Sequence, residues 1–425
     1  MELHQDTYKD TKIGRIPKDW NLIKLSELGK FYRGHTYSAI NVQSNGLLVL
    51  RSTNIQKRTL ILHKDLVFVD KDCKEDILLR NGDLVICMAN GSKRLVGKSA
   101  KYFGEDRKDT TIGAFCSIYR SKNALVNYLF ETYYYKKYLQ ITLAGSTINN
   151  LKNSELEKFT FPFPNDIKEQ QKIADILSTV DEQISTTDKI IEKSKELKKG
   201  LMQKLFSEGI GHTKFKDTKI GRIPKDWEVV KLNDISKKTN QGVNTTTEKV
   251  KYSAEGKYQV IRSNNLSDNY IDWNNSVFID DNTFDRISEN VKPNYNDILY
   301  SNIGSALGYA AVVTETIDFA IAWNVFRIQT LSSEINSSFL AYFLNFRRKH
   351  IRRLETQSTM PFISSKVMLK VQVALPYIIE QQKIADILSE ADAKIEKEQT
   401  QKTQLETLKK GLMQQLLTGK KRVNV

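Results

Sequence analysis

KDTKIGRIPKDW occupies Lys9 to Trp20 and returns letter for letter as Lys216 to Trp227, 207 positions on. Two further blocks repeat. EQQKIADILS stands at Glu169 to Ser178 and again at Glu380 to Ser389, and LKKGLMQ stands at Leu197 to Gln203 and again at Leu408 to Gln414, each 211 apart. Between these blocks the two copies differ heavily. A duplicated frame around two unlike inserts implies one kind of task done twice on two targets, and such self-similarity governs every later reading.

Outward from the frame, each repeat opens on a basic, turn-rich stretch punctuated by Gly14 and Pro17, or by Gly221 and Pro224. Short runs rich in β-branched and aromatic residues follow, bounded by Asn, Gly, Asp or Ser, and read as strands. They are Leu47 to Leu50, Leu66 to Val69, Leu84 to Met88 and Phe115 to Tyr119, then Tyr258 to Ile261, Val277 to Ile279, Ile298 to Tyr300 and Val325 to Ile328. Helices are predicted over Val126 to Leu139 and Ser337 to His350. Each unit is expected to be a mixed α+β domain of about 160 residues. It closes at a proline-bearing stretch, FTFPFP (Phe159 to Pro164) or VALPY (Val373 to Tyr377), where proline should stop one element and favour a helix start beyond.

Past those prolines the pattern changes to a heptad-like stripe on long helices. In the first copy it runs through Ile173, Leu177, Val180, Ile184, Ile191, Leu197, Leu201 and Leu205. In the second it runs through Ile384, Leu388, Ala391, Ile395, Leu405, Leu408, Leu412 and Leu416. One such helix cannot bury its stripe alone, and the obvious partner is its own copy. Alternation of domain and helix favours an antiparallel coiled coil with a pseudo-twofold internal repeat. The tail LTGKKRVNV joined to the opening MELHQDTYKDTKIG would nearly regenerate the inner junction SEGIGHTKFKDTKIG, so the two ends are expected to lie close together. Gly200 and Gly411 hold the same place in each helix, either for close helix crossing or docking or as tolerated glycines costing about 1 kcal/mol. The expected layout is 1–165 domain, 166–208 helix, 209–376 domain, 377–418 helix and 419–425 tail.

With 425 residues, two or more domains are expected. The formal net charge of +15 favours a polyanionic partner, nucleic acid before an acidic membrane face. The opening decamer has no apolar stretch, so no secretory signal is expected, and no run approaches the roughly 18 apolar residues of a membrane span. Cys73, Cys87 and Cys116 form no Cys-x-x-Cys pair, which fits a reducing cytoplasm and argues against disulfide or zinc scaffolding. The five histidines show no metal spacing.

Catalytic motifs are missing. Gly91 to Ser99, GSKRLVGKS, imitates a phosphate-binding loop, but its glycine spacing is one residue too long. Glu255-Gly-Lys257 and Asp392-Ala-Lys394 imitate nuclease triplets, as chance provides in a chain that is 27% charged. No Asn-Pro-Pro-aromatic, G-x-S-x-G or H-E-x-x-H motif occurs.

The arrangement resembles the specificity subunit of type I restriction–modification enzymes. The residues carrying the resemblance are GRIPKDW (Gly14 to Trp20, Gly221 to Trp227), GSTINNL (Gly145 to Leu151), FPFPNDIKEQQKIADIL (Phe161 to Leu177), PYIIEQQKIADIL (Pro376 to Leu388) and the two LKKGLMQ blocks. The second copy departs at Gln357-Ser358-Thr359-Met360-Pro361, where the glycine is lost and a proline gained. The resemblance implies two target recognition domains, each reading one half of a split site on double-stranded DNA. It implies spacer helices that set the gap and dock two methyltransferase subunits. Those subunits would hold S-adenosylmethionine. Restriction subunits with ATP-driven translocase and Mg-dependent nuclease activity would then join. No cofactor, metal or catalytic residue is expected in this chain, nor a membrane, and the cell would be bacterial or archaeal. The competing readings are a duplicated coiled-coil protein scaffold without sequence-specific readout and, less favoured, a self-sufficient nuclease.

Arg pairs well with guanine and Asn or Gln with adenine, while Lys and Arg hold phosphates. Candidate DNA-binding residues in the first domain are therefore Arg33, His35, Thr36, Arg51, Asn54, Asn90, Lys93, Arg94, Ser146 and Thr147. In the second they are Gln241, Asn244, Arg262, Asn264, Asn265, Asn302, Ser305, Ser358 and Thr359. Arg51 and Arg262 hold equivalent places, and a structural bond common to both domains would explain them equally well. Asn in loops commonly caps and turns. Ile173, Leu177, Leu201, Ile384, Leu388 and Leu412 are the candidate partner-binding helix positions.

Overall fold

In the computed structural model, residues 7–70, 73–104, 109–144, 149–331, 334–356 and 361–424 are described. The chain divides into two compact units. The first comprises Met1–Thr187 with Gln401–Val425, and the second Asp188–Thr400. Each unit therefore contains one variable domain, half of each long helix and one set of frame blocks.

In the first unit an antiparallel sheet runs Ser99–Lys101, Leu84–Cys87, Cys116–Arg120, Lys30–Arg33. Its strands are apolar at every residue of Leu84–Cys87 because both faces are covered. Alternation divides them: Leu84, Ile86 and Tyr119 join a core shared with the long helices, while Val85, Cys87, Cys116 and Ile118 join a second core. That second core lies against another sheet, Thr110–Ile112, Leu47–Leu50, Val67–Val69, Val42–Gln43. Thr110–Ile112 and Leu47–Leu50 pair in parallel.

The second unit repeats this plan. Its first sheet runs Ser236–Gln241, Val325–Thr330, Ile298–Ser301, Ala310–Val312, and its second Val277–Ile279, Tyr258–Ile261, Phe319–Ile321, again with one parallel pair. Ile298, Tyr300, Phe326 and Ile328 face the helix-side core, and Leu299 and Val325 the other.

Two expectations change. The single helix predicted over Val126 to Leu139 is broken into Val126–Leu129 and Tyr133–Ala144, with the Thr132 hydroxyl donating to the Leu129 carbonyl and accepting from the Tyr135 amide at the break. The proline stretch Thr160–Pro164 is a strand paired with Trp20–Lys24, Pro162 opposite Leu22 and Pro164 opposite Trp20. A two-stranded ribbon leaves one edge without a neighbour, so the missing proline N–H groups cost no ladder bond.

The frame blocks are retained because they hold one another. Trp20 is fully buried and its indole donates to Glu169 (3.1 Å), and Trp227 does the same to Glu380 (3.0 Å). Gln170 and Gln381, next in the block, donate to the carbonyls of Pro164 and Pro376. Gly419 and Gly209 sit in the left-handed region against Trp20 and Trp227 respectively. In the first unit the Tyr8 hydroxyl donates to the Gly419 carbonyl at 3.0 Å, and Arg422 forks onto Asp19 and Glu169, so the two end segments meet. In the second unit His212 replaces that arginine, its Nε2 3.0 Å from Glu380.

The long helices run Ile167–Glu208 and Ile378–Leu416. In the first unit Ile173 and Leu177 share a core with Met413, Leu416 and Leu417; in the second Met202, Leu205 and Phe206 share one with Ile384, Ala385 and Leu388. Within each unit the start of one helix thus meets the end of the other. The covered seam of the first helix is Ile173, Leu177, Val180, Ile184, Thr187, Ile191, Ser194 and Lys198, a continuous 4-3 alternation. Leu197 and Leu408, placed on the stripe from sequence, are instead 60% and 50% exposed. A leucine spacing of four drifts off a 3.5-residue seam, and the covered position belongs to the next residue, Lys198 or Lys409. Gly200 and Gly411 have open space where a Cβ would point, which removes the close-crossing reading within the chain.

Candidate nucleic-acid interface

In each unit five strand ends converge on one edge. In the first, the chain leaving Lys30–Arg33 passes beside the loop between Thr110–Ile112 and Cys116–Arg120: Gly34 N donates to Cys116 O (3.1 Å) and His35 N to Ile112 O (2.7 Å). Gly113 N donates to Leu50 O, and Met88 N to Phe115 O, both at 2.8 Å, which adds the ends of Leu47–Leu50 and Leu84–Cys87. A Cβ on Gly34 would lie 2.1 Å from the Gly113 carbonyl oxygen, so only glycine permits this approach. Gly242 stands in the same relation to the second unit, with a Cβ 2.2 Å from Ala322 O.

This convergence brings together Arg33, His35, Thr36, Arg51 and Asn90 in the first unit, and Gln241, Asn244, Arg262, Asn264, Asn302 and Ser305 in the second. Arg33, Thr36, Asn264 and Ser305 are exposed. Lys93 and Arg94 are exposed on one turn of 3₁₀ helix, Lys93–Leu95. No helix follows that loop, only the strand Ser99–Lys101, and Lys98 Nζ is spent on Ile55 O at 2.7 Å, so the imitation phosphate loop has neither the helix nor the free lysine it needs. The GSTINNL segment is tied in by Leu151 N to Met88 O (2.8 Å) and Asn90 N to Asn149 O (3.3 Å); the second copy makes the matching bridge of Ile303 with Phe362. Ser146, Thr147, Ser358 and Thr359 lie outside the described residues.

Three of the asparagines, Asn54, Asn265 and Asn302, are buried in structural roles, and two others form local turns while staying half-buried. Asn54 and Asn265 are fully buried: each side-chain oxygen accepts from the amide of Arg51 or Arg262, and each side-chain NH₂ donates to carbonyls, Ile61 and Lys64 for one and Asp272 for the other. They close the loop after the strand and cannot present an edge to a base. Asn302 is likewise buried, donating to Ile363 O. Asn244 caps the turn through Thr246 N and Thr247 N. Asn90 caps Ser92 N but lies half-buried, its NH₂ 3.4 Å from the Ser52 hydroxyl. Arg51 and Arg262 are half-buried, each with one Nη2 bond to a backbone carbonyl, Asp65 or Asn275, and a buried Nε without a hydrogen-bond partner among the described residues.

Two residues escaped the sequence reading. Phe115 and Trp323 project from the corresponding loops of the two edges, 69% and 48% exposed. The run Phe115 to Tyr119 predicts a strand starting at Phe115, but the strand begins at Cys116. The signal available was an aromatic in the short turn ahead of a strand in both copies, Gly113-Ala114-Phe115 before Cys116 and Ala322-Trp323-Asn324 before Val325. Gln241 is held against the Trp323 carbonyl, which fixes that loop.

Ile173, Leu177, Ile384 and Leu388 are fully buried inside their own units, and Leu201 and Leu412 half-buried against the same cores. Ile173, Leu177, Ile384 and Leu388 are thus taken up by internal packing, while Leu201 and Leu412 keep part of their surface open.

Among the described residues no group of three or more His, Cys, Asp or Glu is placed to hold a metal ion. Cys87 and Cys116 face each other across the sheet as free thiols, and burial pushes Cys116 up to about 12, far from a reactive thiolate. Asp392, of the second imitation triplet, is engaged by Lys198. No helix among the described residues is long and apolar enough to cross a membrane.

The geometry defines a duplicated pair of edges of converging strand ends on a helical frame. The family model for the type I restriction modification DNA specificity domain matches twice, over residues 17–196 and 224–407, and the chain belongs to that family. It is 27% identical over 99% of its length to the type I restriction enzyme MjaVIII specificity subunit of Methanocaldococcus jannaschii, covering 97% of that protein. It is 28% identical to the EcoKI specificity subunit of Escherichia coli, over 50% of this chain and 45% of that one. The crystal structure of the type I S subunit from M. genitalium shares the fold, with a TM-score of 0.59 at 16% identity, covering 98% of both chains.

Proposed function

We propose that each unit reads one half of a bipartite site on double-stranded DNA through its edge of converging strand ends. The observation that carries this reading is the duplication of that edge on one backbone plan with different side chains. One copy offers Arg33, His35, Arg51, Lys93 and Arg94, and the other Gln241, Arg262, Asn264 and Ser305. Exposed Lys and Arg side chains supply phosphate contacts, and the half-buried arginines and polar loop residues face the bases. The long helices, each of about 60 Å at 1.5 Å per residue, act as an antiparallel coiled-coil spacer that fixes the gap. They also present the surfaces on which two methyltransferase subunits dock, with restriction subunits joining the assembly in a bacterial or archaeal cytoplasm. S-adenosylmethionine, ATP and Mg belong to those partners, and this chain supplies sequence choice rather than chemistry.

The test is exchange of residues 29–165 for the same segment of another family member, with the methylated motif read out. One half-site should change and the other persist. A simultaneous change of both would refute two independent readers, and sequence-blind binding in the presence of methyltransferase would favour a protein scaffold.

A further inference from the structure

Lys198 and Lys409 occupy the same place in the two long helices, 211 positions apart; Lys198 is buried in the seam and the Lys409 side chain is 12% exposed there. The Lys198 side chain is 7% exposed, with Nζ 2.7 Å from Asp392 on the other helix and 2.9 Å from Asp268. The Tyr342 hydroxyl donates to Asp392 at 2.7 Å, and its ring lies 5.4 Å from the ammonium. In the first unit Lys409 Nζ lies 2.7 Å from Asp181 on the other helix and 3.0 Å from Glu131, with the Tyr128 ring at 5.5 Å. Lys198 with Asp392 and Lys409 with Asp181 are the same pair made twice.

The third partner differs between the units, yet reaches the same part of the domain. Asp268 lies in the turn joining Leu266–Ser267 to Tyr270–Ile271. That hairpin follows Arg262 and the buried Asn265 directly. The corresponding hairpin of the first unit, Ile55–Gln56 with Thr59–Leu60, follows Arg51 and the buried Asn54. Its turn carries Arg58, which pairs with Glu131, the acid that holds Lys409. One domain thus delivers an acid from the turn. The other delivers an arginine from the turn and places the acid between two helices.

An apolar residue would serve packing at a seam position at least as well as a lysine needing two carboxylates. Burial is the largest influence on both lysines and opposes their charge. At Lys198 the attraction of Asp268 and Asp392 outweighs it and raises the pKa; at Lys409, which also faces Arg58, burial prevails and lowers it. The attested use of a lone polar group in a helical seam is to fix register. Here the register is tied to the hairpin that leads out of the reading edge.

We propose that Lys198 and Lys409 are positioning residues for DNA recognition, each pinning its domain's edge hairpin to one register of the helices so that a single gap between half-sites is accepted. This rests on the two-reader function proposed above. The experiment expresses the full chain with its methyltransferase subunits and sequences the methylome of Lys198→Met, Lys409→Met and the conservative Lys198→Arg. Both methionine variants should keep the two half-site sequences but methylate sites with the gap one base pair longer or shorter at least about tenfold more than wild type, a shift of about 1.4 kcal/mol. Lys198→Arg should restore the single gap. An off-gap signal within about twofold of wild type in assembled variants overturns the proposal. If a methionine variant fails to assemble, Asp268→Asn decides: it leaves the inter-helix pair with Asp392 in place, and an unchanged gap in that variant overturns the proposal equally. Absence of any bipartite motif from the wild-type methylome would count against the two-reader function itself.

Discussion

Replacing Asp297 by alanine should destabilise the second unit by several kcal/mol. Asp297 and Arg327 form a pair whose side chains are 9% and 5% exposed, with Nε to Oδ2 at 2.6 Å. The aspartate also accepts from Asn294 N at 2.7 Å, and the arginine donates to Glu289 O at 2.8 Å. Removing the carboxylate leaves a buried guanidinium with one backbone acceptor and strands the Asn294 amide. Breaking such a pair costs about 3–5 kcal/mol, against about 0–1 kcal/mol for an exposed pair such as Arg15 with Asp10. Three of the four tryptophans lie in the second unit, so fluorescence-detected urea unfolding of the full chain carrying Trp20→Phe reports on that unit. The expected result is a fall in the midpoint at unchanged slope equivalent to several kcal/mol. The double variant Asp297→Leu with Arg327→Met should recover most of it, because no buried charge is left unpaired. A loss below about 1 kcal/mol in Asp297→Ala, or a double variant no better than the single, would refute the reasoning.

Gly242→Ala puts a methyl against the Ala322 carbonyl, so the second edge must shift, at a cost of about 1–3 kcal/mol; binding to one half-site should weaken while the other is unchanged, as judged by mobility shift with duplexes altered in one half at a time. Phe115→Ala and Trp323→Ala remove exposed side chains and should leave the unfolding midpoint within about 0.5 kcal/mol, yet each should lower affinity for the cognate duplex; unchanged affinity would remove these residues from the interface. The Arg422 hydrogen bond holds the Asp19 carboxyl below its usual pKa. A depressed folded-state pKa gives stability that is present above the unfolded value near 3.9 and lost as pH falls through the folded one. The stability gap between wild type and Arg422→Ala should therefore be constant near neutral pH and shrink below about pH 4, measured by urea unfolding across that range.

Much of the fold was legible because the chain supplies its own comparison. The repeated blocks mark the frame, and the pairing of Trp20 with Glu169, repeated by Trp227 with Glu380, explains why those letters are kept. Strand runs such as Leu47–Leu50 and Tyr258–Ile261 were visible as short apolar segments. The stripe misplaced Leu197 and Leu408 because hydrophobicity alone cannot reveal that a lysine stem occupies the seam with its ammonium paired. The proline strand was hidden because its tolerance depends on lying in a ribbon with a free edge. At the reading edges, residue type could not separate an asparagine that closes a loop, as Asn54 and Asn265 do, from one that faces outward. That distinction is set by burial and by carbonyls several residues away. Phe115 was hidden by a boundary error of one residue.

The most direct test of the central claim is methylome sequencing of a host expressing this chain with its methyltransferase, compared with a host lacking only this chain. The expected result is a split adenine-methylated motif with one fixed gap that disappears when the chain is removed. An unchanged methylome, with partner expression confirmed, would contradict the assignment of sequence choice to this chain.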